Sequence, residues 1–258
     1  MHDDASRVPA VVAVRLLGGL SLTCGDRPVD VPPGSRRLLA YLALHPGGVD
    51  RRQAAGVLWP TVGDPRAAGN LRSALWRLQQ VGCPVVRAEH ARLGLQDGVT
   101  VDVGELECWA ARVLAGGATA TDLAVSPSPV IEQELLPGWY DDWVLAVRDR
   151  LRLRVLHALE ELGTLLRDAG RPREAVEAVQ AAVIAEPLRE SGQRALIEAH
   201  QAAGDWVAAR RQFDAFRILL RQEIGVEPSP ELAAMAMGRS PVAAAPRPPR
   251  TTAPAPLR

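Results

Sequence analysis

The chain has 258 residues, of which 47% are hydrophobic, and its 30 basic and 30 acidic side chains give a formal net charge of zero. This apolar fraction is enough for one or two buried cores and excludes a protein that is disordered throughout. Its basic side chains, histidine aside, are all arginine, which excludes a lysine-containing phosphate-binding loop and an enzyme that forms a Schiff base. The three cysteines fit neither a disulfide framework nor a zinc site.

The charge is distributed unevenly along the chain. Residues 1–100 carry 12 arginines and 8 acids, residues 101–238 carry 14 arginines and 22 acids, and residues 239–258 carry four arginines and no acid. The positive excess is largest between Gly34 and Arg92, where nine arginines face three acids. Such asymmetry suggests that the first half meets a polyanion and that the second half has a different role.

Residues 1–10 are predicted to be disordered, and residues 11–104 are predicted to form an α+β domain. In this domain, short strands precede and follow three helices. Strands are predicted at 11–17, 20–24, 29–31, within 84–96 and at 99–103. The run 84–96 reads as a hairpin with a tight turn near Glu89–Ala91.

Three short helices are predicted between these strands. Ser35 is expected to cap the first helix, which ends at Pro46, and the second helix is expected to start at Asp50 and to end at Pro60. Asp64 is expected to cap the third, because a proline follows it where no amide hydrogen is needed. Three strands, three helices and a basic hairpin are the order of a winged helix-turn-helix, in which one helix enters a DNA groove.

The third predicted helix carries the main functional signal. At about 3.6 residues per turn, one of its faces is apolar and the opposite face is polar without an acidic side chain. The polar stripe consists of Arg66, Asn70, Ser73 and Arg77. Arginine can form two hydrogen bonds with the edge of a guanine, and asparagine can form two with an adenine. Serine can form a hydrogen bond with either a base or a phosphate. These four residues are therefore candidates for reading the bases. The alternative is an ordinary solvated face, although such a face usually mixes both signs of charge.

Other side chains in this half are candidates for contact with the DNA backbone. Arginines near helix starts can bind phosphate together with free backbone amides, although plain solubility explains each of them as well. Trp76 either packs on the protein or meets a DNA sugar, and two arginines on the hairpin suit backbone contact. The backbone candidates are Arg36, Arg37, Arg51, Arg52, Arg72, Trp76, Arg87 and Arg92.

The second half is predicted to be helical up to residue 238, after a helix from Val103 to about Leu114 and a loop near 116–130. Pairs of similar residues recur 34 positions apart, the period of a tetratricopeptide repeat with two antiparallel helices per unit. The pairs are Leu162 and Leu196, Gly170 and Gly204, Ala175 and Ala209, Val179 and Phe213, and Ile184 and Ile218. Residues 239–258 hold six prolines and no plausible core, so they are predicted to be disordered.

No group of side chains in the sequence indicates catalysis. Asp141 and Asp142 could suggest a metal or a catalytic pair, but no histidine or third carboxylate lies at a matching spacing. We therefore expect no enzyme activity, no cofactor and no bound metal. The N-terminus lacks a signal pattern and no apolar run approaches the roughly 20 residues of a membrane span, so we expect a cytoplasmic, nucleoid-associated protein.

Segments of both halves resemble one family of regulators. NLRSALWRL in the third helix, and later ELLPGWYDDWVLAVRDRLRLRVLHALEELG, EAVEAVQAAVIAEPLRES and QEIGVEPSPEL, are similar to the Streptomyces antibiotic regulatory protein family. The resemblance covers about residues 11–235. It implies an OmpR-type winged helix-turn-helix domain with Pro65–Gln80 as the recognition helix and Val85–Leu95 as the wing. An all-α, tetratricopeptide-like bacterial transcriptional activation domain over residues 105–238 would follow it.

The resemblance also implies a function. Members of the family are activators, often of secondary-metabolite clusters such as those for antibiotic biosynthesis, that bind tandem direct repeats in promoters and recruit RNA polymerase holoenzyme. Repeats about one helical turn apart, roughly 10–10.5 base pairs, would place the two subunits of a homodimer on one side of the duplex. Larger relatives append an ATPase and sensor region, and response regulators carry a receiver domain before the winged helix. This sequence shows neither region, so we expect neither control by nucleotide binding in the same chain nor control by phosphorylation of a receiver. The alternative is an adaptor whose helical groove binds a protein, which leaves the one-signed arginine pattern unexplained.

Overall fold

The computed structural model describes residues 11–125 and 133–238. Within these ranges the first half alternates short strands and helices. The elements are β1 Val12–Arg15, β2 Ser21–Cys24, β3 Arg27–Val29, α1 Pro33–Ala43, β4 Val49–Asp50, α2 Arg51–Leu58, α3 Asp64–Gln79, β5 Val86–Glu89, β6 Arg92–Leu95, β7 Thr100–Val101 and α4 Asp102–Leu114. The stretches predicted to be disordered, 1–10 and 239–258, and part of the loop predicted near 116–130 lie outside the described residues.

The second half is helical, as predicted. Its helices are α5 Asp142–Asp168, α6 Pro172–Ala185, α7 Glu190–Ala202, α8 Trp206–Glu223 and α9 Pro230–Ala236. Consecutive helices pack against each other from α5 to α8, and α5 also contacts α7. This is the arrangement expected of stacked helix pairs.

Two small sheets flank the first three helices. One has the strand order β3-β2-β1-β7, with β1 and β7 parallel and the other pairs antiparallel. The other has the order β4-β6-β5 and contains the predicted hairpin. The two-residue strand β4 was not predicted, because two residues are too short to show an alternating pattern. The predicted strand at 99–103 is shorter than expected, since α4 already begins at Asp102.

The second helix begins where the sequence predicts it, with Asp50 as its N-cap. The Asp50 carboxylate accepts hydrogen bonds from the amides of Arg52, at 2.8 Å, and Gln53, at 3.2 Å, at the start of α2. The predictions of Ser35 and Asp64 as helix caps are both wrong. Ser35 lies inside α1, where its buried hydroxyl donates to the Ala74 carbonyl of α3 at 2.9 Å. Asp64 is the first residue of α3 and makes no capping hydrogen bond.

The repeat predicted from the sequence coincides with equivalent structural positions. Gly170 and Gly204 follow α5 and α7 with φ angles of 74° and 79°, in the left-handed region that glycine enters freely. Val179 and Phe213 are both fully buried, whereas Ile184 and Ile218 are 71% and 54% exposed. Successive helix pairs therefore bury and expose the same positions.

A continuous apolar core joins the two halves. It extends from β1 through α1–α4 to α5, α6 and α7. The Asp102 carboxylate accepts the amides of Leu16 and Leu17 at 3.0 Å, and the Leu16 carbonyl accepts the Leu136 amide at 2.9 Å. The start of α4 and the segment before α5 thus hold the end of β1 in place.

A largely buried aspartate stabilises the loop after α4. Asp122 accepts hydrogen bonds from the Arg112 guanidinium, at 2.6 Å, and from the hydroxyl and amide of Thr119, at 2.7 and 2.9 Å. The Arg112 hydrogen bonds, followed by those of Thr119, hold the pKa of the Asp122 carboxyl well below its usual range. The negative charge of Asp122 is therefore favoured in the folded state.

This arrangement predicts a pH-dependent contribution to stability. A carboxyl whose pKa is lowered by folding stabilises the protein above its unfolded pKa, about 3.9, and this contribution is lost as the pH falls towards the folded pKa. We expect Asp122→Asn to lower the thermal midpoint at neutral pH and the difference from the native protein to shrink below about pH 4. Melting curves across this pH range would test it, with the exposed Asp26→Asn as a control. A difference that is constant with pH would contradict the assignment.

Candidate DNA-binding surface

The exposed face of α3 is the centre of the candidate surface. Five residues bury the other face against the domain: Ala67, Leu71, Ala74, Leu75 and Leu78. With about 100° of rotation per residue, the positions most nearly opposite these are Gly69, Ser73 and Trp76. Beyond Asp64 at its start, the helix carries no acidic side chain. Its exposed face is therefore positively charged at the sides and uncharged along the middle.

The predicted base-reading residues lie along one side of this exposed face. Arg66, Ser73 and Arg77 are exposed, and Asn70 is half-buried. The Ser73 hydroxyl donates to the Gly69 carbonyl of its own helix at 3.1 Å. The stripe is therefore a continuous polar edge, but it is not centred opposite the core as the sequence suggested.

Arg77 lies over the start of α1. A methyl group placed on Gly34 would be 2.6 Å from the nearer terminal nitrogen of Arg77. The absence of a side chain at Gly34 therefore makes room for the guanidinium. Arg36 is exposed two residues further along α1. Arg77 of α3 and Arg36 of α1 therefore both lie at the start of α1.

Three of the predicted backbone-contacting residues line a common groove. Arg51 and Arg52 begin α2, and Arg72 projects from α3. These arginines line a groove of about 610 Å³ between the starts of the two helices, where Asp64 is the acidic lining residue. Such a basic groove beside a helix start suits a phosphate group.

Arg37 has a different environment from the one predicted. Its guanidinium forms an ion pair and hydrogen bond with Asp141, just before α5. Next to this pair, the Tyr41 ring meets the Trp143 ring edge-on at a centroid distance of 5.2 Å. Burial also raises the pKa of the Tyr41 phenol, which favours its neutral form. The ion pair between Arg37 and Asp141 therefore links the two halves of the chain.

The β5–β6 hairpin carries both of its predicted arginines, each with protein partners. Arg87 on β5 donates to Asp97 at 2.6 Å and lies 3.4 Å from Glu89. Arg92 on β6 donates to the carbonyl of Gly47 at 2.9 Å, which fixes the hairpin to the turn after α1. Arg87 remains partly exposed and Arg92 is exposed, so both can still contact a ligand.

The helical half decides the family. Residues 106–238, just over half of the chain, match the family model described as the bacterial transcriptional activator domain. The chain belongs to the bacterial transcriptional activator domain family. This match confirms that a bacterial transcriptional activator domain is present in the second half of the chain, as the resemblance predicts.

A similar fold is also found in a solved structure. This is Mycobacterium tuberculosis EmbR in complex with a low-affinity phosphopeptide, with a TM-score of 0.65, 20% identity and coverage of 88% of this chain. The likeness supports the predicted order of an α+β region followed by a helical domain. This member of the activator domain family spans 64% of the EmbR chain in that structure. Among curated proteins, none matches the chain significantly.

Residues 11–125 and 133–238 contain no cluster of three or more side chains that could hold a metal ion. Across the same ranges, no helix has the length and apolar character needed to cross a bilayer.

Proposed function

We propose that this protein is a sequence-specific DNA-binding transcriptional activator of the Streptomyces antibiotic regulatory protein type. In this proposal residues 11–104 form an OmpR-type winged helix-turn-helix domain and residues 105–238 form the activation domain. The observation that carries the proposal is the exposed face of α3, which lacks acids beyond Asp64 and lies beside a groove lined by arginines. Such a face suits the negatively charged major groove.

Each part of the candidate surface has a role in this proposal. Helix α3 enters the major groove, where Arg66, Asn70 and Arg77 read base edges. Arg36 on α1 and the arginines at the start of α2, Arg51 and Arg52, bind phosphates and fix the position of α3 on the duplex. The β5–β6 hairpin acts as the wing and contacts the backbone nearby through Arg87 and Arg92.

The promoter arrangement follows from the same reasoning. Two copies bind tandem direct repeats about one helical turn, roughly 10–10.5 base pairs, apart, so both subunits of the dimer face the same side. The activation domains then contact RNA polymerase holoenzyme from that side. The targets in this proposal are promoters of a secondary-metabolite gene cluster.

Transcription in a purified system tests the proposal. Template DNA with the two repeats is transcribed by bacterial RNA polymerase holoenzyme, with and without the protein. We expect activation, and we expect an insertion of about half a helical turn, roughly five base pairs, between the repeats to abolish it. Unchanged transcription on the native template would contradict the activator proposal.

A protein-interaction adaptor is the second candidate, and one observation favours it. Ile184 and Ile218 are exposed at the same position of successive helix pairs, and exposed apolar groups can form protein contacts. An adaptor would not need sequence-selective DNA binding. If the protein shows no sequence selectivity in any DNA assay but captures a partner protein, the adaptor is favoured.

Arg87 provides a test of the backbone contacts. We expect Arg87→Ala to weaken binding to all duplexes to a similar extent and to reduce the slope of log affinity against log salt by about one unit. The reason is that a phosphate contact releases a counterion but carries no sequence information. Fluorescence anisotropy titrations at several salt concentrations measure both effects.

The matched control for this titration is Arg173→Ala, which removes an exposed arginine from α6 in the other half of the chain. The control should keep the native salt slope. An Arg87→Ala slope equal to that of the control would remove the hairpin from the DNA contact.

A further inference from the structure

The middle of the exposed α3 face contains a large apolar side chain. Trp76 is 63% exposed, although an indole ring is among the costliest apolar groups to leave in water. It lies nearly opposite the buried residues of the helix, between Arg72 and Arg77 on the two sides. Its position is therefore the one that would face the floor of a groove entered by α3.

The neighbours of Trp76 on this central line are small. Gly69 has no side chain, and the Ser73 hydroxyl is already bonded to the Gly69 carbonyl at 3.1 Å. The N-terminal half of a recognition helix lies nearest the base edges. Small residues there allow the backbone of α3 to approach the groove. A long side chain at position 76 then spans the larger gap under the C-terminal half.

The chemistry of the groove indicates what an indole would contact there. The C5 methyl group of thymine is the apolar feature of base edges in the major groove, whereas the other groups donate or accept hydrogen bonds. A DNA sugar is the other apolar partner, but the sugars lie at the sides of the groove. The arginines occupy the sides of α3, and Trp76 occupies the middle.

We propose that Trp76 reads the methyl group of a thymine beneath the C-terminal half of α3, and that it is a specificity-determining residue. This inference rests on the proposed function, because it requires α3 to enter the major groove. It assigns to Trp76 a base contact in place of the backbone contact considered from the sequence. Each binding repeat then contains a thymine whose methyl group contributes to affinity.

Uracil substitution isolates this contact, because uracil differs from thymine only by the missing methyl group. The probe is a duplex of the repeats that the full-length protein selects from genomic DNA, with each thymine replaced in turn by uracil. Burial of one methyl group corresponds to about a fourfold change in affinity. We expect the native protein to lose about fourfold at one thymine per repeat, and Trp76→Ala to bind both duplexes equally.

The matched control is Trp206→Ala, which removes an indole that is 55% exposed on α8 of the helical half. It should keep the native ratio between thymine and uracil duplexes. The inference would be overturned if Trp76→Ala kept the native ratio of affinities for the thymine and uracil duplexes. It would also be overturned if the native protein bound every uracil duplex as tightly as the thymine duplex. These results leave the proposed function intact, whereas failure of the native protein to select any sequence overturns both.

Discussion

Replacement of Gly163 by valine is expected to lower the free energy of unfolding by about 3 kcal/mol. Gly163 lies on α5 where α6 crosses it closely. A methyl group added there would be 2.2 Å from Cγ2 of Val179, which is fully buried on α6. The two helices must then move apart or Val179 must leave its preferred rotamer. Urea denaturation of the native and variant proteins measures the change.

The control for this experiment is Gly56→Ala, a glycine substitution on α2 at a position with open space around it. It should stabilise the protein by about 0.5–1 kcal/mol, because alanine favours a helix more than glycine does. Opposite signs for the two variants would establish the close helix crossing. A Gly163→Val protein as stable as the native one would show that α5 and α6 do not pack in this way.

Arg77→Ala is expected to have the largest effect on DNA selectivity. If Arg77 reads a guanine edge with two hydrogen bonds, its removal should reduce the discrimination between operator and scrambled duplex by about 1–3 kcal/mol. Affinities for the two duplexes, measured at the same salt concentration, give the difference. Arg173→Ala on α6 is the matched control and should keep native discrimination.

A second variant separates the position of Arg77 from its charge. Gly34→Ala places a methyl group 2.6 Å from the Arg77 guanidinium and displaces it without changing any charge. We expect a smaller loss of discrimination in the same direction. If Arg77→Ala leaves both affinity and discrimination at native values, α3 is not the recognition helix.

The sequence predicts the repeated helices well because their pattern is local and periodic. The spacing of Gly170 and Gly204 coincides with two helix ends of the same geometry, and the buried positions between them follow the same period. Caps are harder to predict, because a serine or aspartate near a helix start can have other partners. Ser35 bonds to Ala74 on another helix, a contact that no local pattern contains.

The candidate surface could be predicted only in part. Helical periodicity predicts the exposed side of α3, but side-chain chemistry alone favours the polar stripe over Trp76, which the structure shows in the middle of that side. Arg37 is predicted as a backbone contact because its actual partner, Asp141, is 104 positions away in the chain. Long-range ion pairs of this kind leave no spacing signal in a single sequence.

Selection of sheared genomic DNA by the purified protein, followed by sequencing, shows directly whether α3 reads DNA sequence. We expect strong enrichment of a few promoters with tandem repeats about one helical turn apart, and loss of this enrichment in Arg77→Ala. Uniform weak recovery of all sequences, unchanged in Arg77→Ala, would contradict it. Binding would then reflect charge alone, and α3 would not read DNA sequence.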